Sequence, residues 1–189
     1  PIPGIEDVPY VTSDDLMRIT DRPDSIVALG SGAVGLELCQ FLARMGTRVT
    51  LVSRQRVFEK FDAVLADEME KILAAEPGFE LLQPVRPVRV SRQAGKVACL
   101  LEDGRRIVAD GLFLATGRSA ALKGLGLSAG GVETQDLKVV CGDDMRTSNP
   151  RIFVAGDASG EEMILHVANH EGRVAGRNAA AGDVVERVD

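Results

Sequence analysis

The chain has 189 residues, of which 45% are hydrophobic, enough for one or two small domains with packed cores. A formal net charge of −6 argues against a general nucleic-acid-binding protein, and no apolar run approaches the roughly 20 residues of a membrane span. Three widely spaced cysteines without a CxxC pair are typical of buried thiols in a reducing cytosol, and they argue against a disulfide framework or a zinc site. We expect a globular cytoplasmic protein.

The first 24 residues are rich in Pro and Asp, which predicts a loop with one short helix over residues 13–18 and Ser13 as its N-cap. The sequence starts in a proline-rich turn without an initiator Met. We interpret it as a piece of a longer chain.

A strand–turn–helix–strand unit follows. The apolar run at 25–30 predicts a buried strand, residues 33–45 have apolar side chains at helical spacing, and 47–53 is the next strand. The predicted apolar face of this helix consists of Val34, Leu38, Phe41, Leu42 and Met45.

A second helix is predicted from its cap, Asp62, to about Ala75. Its predicted apolar face contains Val64, Leu65, Met69, Ile72 and Leu73. Short strands are predicted at 79–82, 85–91, 96–101, 107–109 and 111–117, with an Asp-Gly turn after the third of them. This order indicates an α/β fold in which a mixed sheet carries an antiparallel ribbon beside a Rossmann-like parallel core.

Residues 118–189 lack the regular alternation of strands and helices that is predicted for the first part of the chain. Residues 118–150 are glycine-rich and look irregular, "RIFVAGDASG" at 151–160 predicts another strand that ends in a turn, and an Ala-rich helix is expected at 162–180. We place a domain boundary near residue 118.

The segment "GSGAVG" has the spacing G-x-G-x-x-G, and it lies between a predicted strand and a predicted helix. In this context Gly30 allows a tight turn, Gly32 lets the backbone approach a pyrophosphate, and Gly35 lets the helix pack close to the strand. Ala33 and Val34 complete the turn, where free N–H groups attract phosphate. A glycine turn that only connects two elements is the alternative.

The end of the second strand indicates which dinucleotide fits. An acid that holds the ribose of NAD is expected there, but the residue is Ser53, followed by Arg54 and Arg56. Serine cannot reject a 2′-phosphate by charge, and arginine can bind one through bidentate hydrogen bonds. The sequence therefore favours NADP(H) over NAD(H), with a solvated basic loop as the alternative.

Three segments in this order, "GSGAVGLELCQFLARMGTRVTLV", "GLFLATGR" and "PRIFVAGDAS", resemble the pyridine nucleotide-disulfide oxidoreductases. Within that family the chain looks most similar to dihydrolipoamide dehydrogenase-like proteins, and "VTSDDL" and "LHVANHEGRVAGRNA" also have counterparts there. Mercuric reductases, which use NADPH, resemble the arginine-containing stretch. The resemblance implies an NAD(P)-binding domain over residues 1–117 and the C-terminal segment of a discontinuous FAD domain over 118–189.

The resemblance also implies roles for single residues. Glu37, placed in the first turn of its helix, matches an acid near the nicotinamide and flavin; a surface acid at the helix dipole is the alternative. Thr116 and Gly117 match the return from the NAD(P) domain to the FAD domain. In "AGDAS", Asp157 matches the aspartate that binds the FAD ribityl chain, and its neighbours Gly156 and Ala158 allow close approach and offer an N–H group. His166 falls near the start of the last helix, where a flavin contact and a packing or surface role are equally plausible.

Parts of the family pattern are not in these 189 residues. They are the N-terminal FAD glycine motif, the redox-active cysteine pair, and the dimerisation domain with its catalytic His and Glu, which we do not identify with His170-Glu171. We therefore expect no catalytic residue here, weak or absent FAD binding by this chain, and a homodimer only for the complete protein. An NAD(P)H–flavin reductase without a disulfide step and a non-catalytic dinucleotide-binding module are the alternative functions.

Overall fold

The chain folds into two compact units, Pro1–Gly117 and Arg118–Asp189. They are seen in a computed structural model that describes residues 2–59, 62–160 and 163–188. In the described part of the chain, no helix is both long enough and apolar enough to cross a membrane.

The first unit is built on a four-stranded parallel sheet with the strand order β3-β2-β1-β7. Its strands are β1 (Ser25–Leu29), β2 (Arg48–Val52), β3 (Phe79–Leu82) and β7 (Gly111–Leu114). All five residues of β1 are buried because it is a central strand that is covered on both faces.

Helices cover one face of this sheet. They are α2 (Ala33–Arg44), which connects β1 to β2, and α3 (Ala63–Ala74), which connects β2 to β3. The Asp62 carboxylate accepts a hydrogen bond of 2.8 Å from the Val64 N–H, which confirms the predicted cap. The helix α1 (Ser13–Leu16) is shorter than predicted, and its N-cap is Thr12, since Asp15 accepts a 2.9 Å bond from the Thr12 N–H.

The prediction of the buried face of α2 was partly right, since Leu42 is buried and Leu38 packs against the core, and it was wrong for the other three residues. Val34, Phe41 and Met45 are 40%, 50% and 58% exposed, whereas the buried residues are Gly35, Leu36, Cys39, Leu42 and Ala43. The small residues at 35, 39 and 43 recur every four positions, and they let the helix approach the sheet more closely than a row of large side chains would.

The predicted face of α3 was likewise partly right, since Leu73 is buried and Met69 packs against the core. Its buried residues are Ala66 and Leu73, while Val64, Leu65 and Ile72 are exposed.

The other face of the parallel sheet packs against a separate antiparallel sheet with the order β4-β5-β6. Its strands are β4 (Pro87–Gln93), β5 (Lys96–Leu101) and β6 (Arg106–Ala109). The prediction of a single mixed sheet was therefore wrong, although the parallel core and the antiparallel ribbon both exist. Alternation along β1 explains the three layers: Ile26 and Ala28 pack on the helices, and Val27 and Leu29 pack on the antiparallel sheet.

The second unit contains a two-stranded ribbon, a short 3-10 helix at Gly156–Ala158 and the helix α4 (Leu165–Ala181). The ribbon consists of β8 (Thr134–Gln135) and β9 (Lys138–Val139). The strand predicted within 151–160 does not form, although this segment is wholly described. Its pairing is limited to one isolated bridge, Arg146↔Phe153. The predicted start of the last helix, residue 162, lies outside the described residues.

Candidate functional site

A cleft of about 740 Å³ lies at the carboxyl ends of the parallel strands in the first unit. The segments that follow β1, β2 and β7 form its walls, as expected for ligand sites in open parallel sheets. Seven of the predicted site residues line it: Gly30, Gly32, Ser53, Arg54, Arg56, Thr116 and Gly117. A smaller cavity of about 380 Å³ lies at the opposite strand ends.

The three glycines of the turn have different tasks. Gly30 has a φ of 104°, and a Cβ there would overlap the carbonyl oxygen of Ala115. A Cβ on Gly35 would overlap the carbonyl oxygen of Gly30, whereas a Cβ on Gly32 would meet no atom within 4 Å. The fold thus requires glycine at 30 and 35, and the open space at Gly32 belongs to the cleft.

The N-terminus of α2 meets the cleft at Gly32, the N-cap residue. The N–H groups of Ala33, Val34 and Gly35 belong to the first turn, where no carbonyl of the helix can accept from them. The first turn carries no acidic side chain, so the positive end of the helix dipole is not offset there. This geometry suits a phosphate group at Gly32.

Ser53 is buried, at 4% exposure, and takes part in a hydroxyl chain. Its Oγ donates to the Gln55 carbonyl at 2.6 Å and lies 2.5 Å from the Ser31 Oγ. Because Ser53 has one proton, Ser31 is the donor in the second bond. Ser53 therefore ties the end of β2 to the glycine turn. Ser31, the variable residue of the glycine motif, was not identified from the sequence.

Arg56 is held by two acids of α3. Its guanidinium donates to Glu70 at 2.5 and 2.9 Å and to Asp67 at 2.5 Å, and these hydrogen bonds lower the pKa of both carboxyls. Gln83 extends the network by donating to Glu70 at 2.7 Å and accepting from the Val57 N–H at 2.8 Å. Arg56 lines the cleft, but its charge is already compensated, so it anchors the loop after β2.

Arg54, in contrast, is exposed and forms no ion pair with any residue that the structure describes. Two further charged side chains, Arg86 and Glu59, line the same cleft. Neither was identified from the sequence, because the dinucleotide pattern assigns no residue type to their positions.

In the second unit, the predicted residues Gly156, Asp157 and Ala158 form the 3-10 helix. Gly156 has a φ of 68°, and its N–H donates to the Glu171 carboxylate at 2.6 Å. The Ser159 hydroxyl reaches the same carboxylate oxygen at 3.1 Å. Asp157 is exposed at this turn, so its carboxylate can accept hydrogen bonds from hydroxyl groups.

Glu171, which is 2% exposed, holds this turn against α4. We expect Glu171→Ala to destabilise the second unit by about 1–3 kcal/mol, since the buried Gly156 N–H would lose its partner. Glu171→Gln keeps an acceptor oxygen and is the matched control. Thermal unfolding together with amide exchange at Gly156 measures the effect, and equal stability of the alanine variant and the wild type would contradict it.

Glu37 and His166 are two of the predicted residues that the cleft lining does not include. Glu37 is exposed and is the fifth residue of α2, so its placement in the first turn was wrong. The helix-dipole explanation therefore loses its basis, because that effect is confined to the first turn. His166 is the second residue of α4 and is exposed.

Two cysteines are buried as predicted. Burial raises the pKa of Cys39 to about 12 and that of Cys99 to about 11, so both thiols stay protonated at neutral pH. Cys141 is only partly buried.

Residues 1–172 match the pyridine nucleotide-disulphide oxidoreductase family. The chain belongs to this family. Among curated relatives, the mercuric reductase of Bacillus cereus is 34% identical over 186 residues, which are 96% of this chain and 29% of that protein. The mycothione reductase of Mycobacterium tuberculosis is 36% identical over 172 residues, 90% of this chain and 37% of that protein.

Solved structures show the same fold. RclA, an HOCl-induced flavoprotein disulfide reductase from Escherichia coli solved as a Cu(II) complex, superposes with a TM-score of 0.91 at 24% identity over 100% of this chain and 44% of that one. LpdA from Mycobacterium tuberculosis superposes with a TM-score of 0.82 at 27% identity, over 95% and 39% of the two chains. The chain spans 29–39% of the length of the curated relatives that it matches.

Proposed function

We propose that residues 1–117 bind a nicotinamide dinucleotide as part of a flavoprotein disulfide reductase. The observation that carries the proposal is the open space at Gly32, where the unpaired N–H groups of α2 meet the cleft. The pyrophosphate would lie there, and membership of the family supports this choice of ligand.

Arg54 supports NADP(H) as the dinucleotide. It follows the end of β2, where the ribose of the adenosine half is expected, and no described acid neutralises it. Ser53 lends support by leaving this strand end without a carboxylate that would repel a 2′-phosphate.

Glu59 favours NAD(H) as the second candidate, because its carboxylate lines the cleft and can accept a hydrogen bond from a ribose 2′-hydroxyl. Nucleotide binding by Glu59→Gln distinguishes NADP(H) from NAD(H) as the ligand. Under the NADP(H) proposal the loss of a negative charge strengthens NADPH binding, and under the alternative it weakens NADH binding.

Residues 118–189 are proposed to contribute to an FAD site in the complete protein, with the exposed carboxylate of Asp157 accepting from ribityl hydroxyls and Ala158 offering its N–H. FAD, when bound, supplies the acceptor for the nicotinamide hydride and the route to a dithiol or disulfide. We further propose a cytoplasmic homodimer for the complete protein that binds neither nucleic acid nor membrane.

Calorimetric titration of the 189-residue chain with NADPH and with NADH tests the dinucleotide proposal. We expect both to bind, with NADPH at least tenfold tighter. Absence of binding by both would refute a dinucleotide site, and tighter binding of NADH would refute the choice of NADP(H). Flavin absorbance at one FAD per purified chain would contradict the expectation that this chain alone binds FAD weakly or not at all.

A further inference from the structure

Arg86 is placed on the cleft by hydrogen bonds that continue beyond the parallel sheet. The Ser53 N–H donates to the Leu82 carbonyl, and the Val85 N–H donates to the Ser53 carbonyl, both at 2.9 Å. The segment after β3 therefore runs directly beside the segment after β2. Arg86, the next residue, lies on the cleft wall together with Arg54.

The main chain of Arg86 is fixed on both sides. Its N–H donates to the Glu102 carboxylate at 3.0 Å, and its carbonyl accepts from the Glu102 N–H at 2.9 Å. The side chain is exposed and has no ion pair within residues 2–59, 62–160 and 163–188. An anchored backbone thus presents an uncompensated guanidinium to the cleft.

The cleft lining contains three arginines and one carboxylate, that of Glu59. Arg56 is compensated by Asp67 and Glu70, which leaves Arg54 and Arg86 as the arginines of the lining without a described acid partner. A phosphate monoester carries about −1.5 to −2 at pH 7 and offers three acceptor oxygens. One guanidinium binds two of these oxygens and balances a single charge, so a second arginine can bind the third oxygen and balance the remaining charge.

We propose that Arg86 is a specificity-determining residue that binds the 2′-phosphate of NADP(H) together with Arg54. The two guanidiniums would contact the phosphate from adjacent walls, Arg54 from the end of β2 and Arg86 from the segment after β3. This inference rests on the proposed dinucleotide function and adds a residue to it.

Binding of four ligands to Arg86→Ala tests the proposal: NADPH and 2′,5′-ADP, which carry the 2′-phosphate, and NADH and 5′-AMP, which lack it. We expect affinity for the first pair to fall about tenfold or more and affinity for the second pair to stay within about twofold. Arg86→Lys keeps the charge but not the bidentate geometry, and it should restore part of the loss. Arg89→Ala removes an exposed arginine of β4 outside the cleft lining and is the matched control.

The binding data test the role of Arg86 and the existence of the dinucleotide site separately. If wild type prefers NADPH and Arg86→Ala leaves that preference unchanged, Arg86 has no role in specificity. Equal losses for all four ligands would also overturn the inference, since they indicate a contact to adenine or a fold effect. If wild type binds none of the four ligands, the dinucleotide site itself is refuted. Circular dichroism confirms that each variant is folded.

Discussion

Arg54→Glu is expected to weaken NADPH binding about a hundredfold and to change NADH binding much less. A charge-assisted hydrogen bond to phosphate contributes about 1.5–3 kcal/mol, which corresponds to roughly ten- to hundredfold in affinity. The introduced carboxylate adds repulsion of a dianionic group at the same place. NADH has a neutral hydroxyl at this position and loses neither interaction.

The measurement is a titration of wild type and variant with both nucleotides at fixed ionic strength, because charge effects at an exposed site are screened by salt. Arg89→Glu causes the same change in net charge outside the cleft and controls for the long-range field. Arg54→Gln removes the charge without adding repulsion and should fall between wild type and Arg54→Glu. Equal weakening of NADPH and NADH by Arg54→Glu would discard the 2′-phosphate role.

Local patterns in the sequence predicted the parts of the site that depend on the backbone. The strand before Gly30 and the helix after Gly32 both form, and the turn between them opens on the cleft. Such a unit is predictable because strand alternation, helical spacing and glycine conformation are all properties of neighbouring residues.

Side-chain partners over longer distances were not predictable in this way. Arg56 and Arg54 look alike in the sequence, but Arg56 meets Asp67 and Glu70 because α3 returns beside the loop after β2. Arg86 reaches the cleft because the hydrogen bond between Val85 and Ser53 continues the pairing of β2 and β3. In both cases the tertiary arrangement decides which charge remains available to a ligand.

Helix faces were partly mispredicted for a related reason. Periodicity finds the stripe with the largest apolar side chains, and on α2 that stripe includes Phe41 and Met45, which are exposed. Close packing on the sheet instead selects the stripe with Gly35, Cys39 and Ala43. The two stripes share Leu42 and differ at Val34, Phe41 and Met45, which are exposed.

Gly35 and Gly32 are both glycines of the motif, but close packing should make alanine substitutions at the two positions differ in effect. We expect Gly35→Ala to destabilise the first unit by about 3 kcal/mol, in the upper part of the range for overpacking, because its Cβ would overlap the carbonyl oxygen of Gly30. The transition temperature should fall by about 10 °C or more.

Gly32→Ala, the matched substitution, should leave the fold nearly unchanged and weaken dinucleotide binding more than tenfold. The φ of −67° and ψ of 173° at Gly32 are accessible to alanine, and its Cβ would meet no atom of the protein within 4 Å. Loss of glycine at the N-cap costs about 1 kcal/mol or less. The methyl group would instead occupy the space in which a pyrophosphate approaches the backbone, so NADPH and NADH should be weakened equally. Thermal unfolding and nucleotide titration of both variants test this separation, and it fails if Gly32→Ala binds nucleotide like wild type or unfolds as readily as Gly35→Ala.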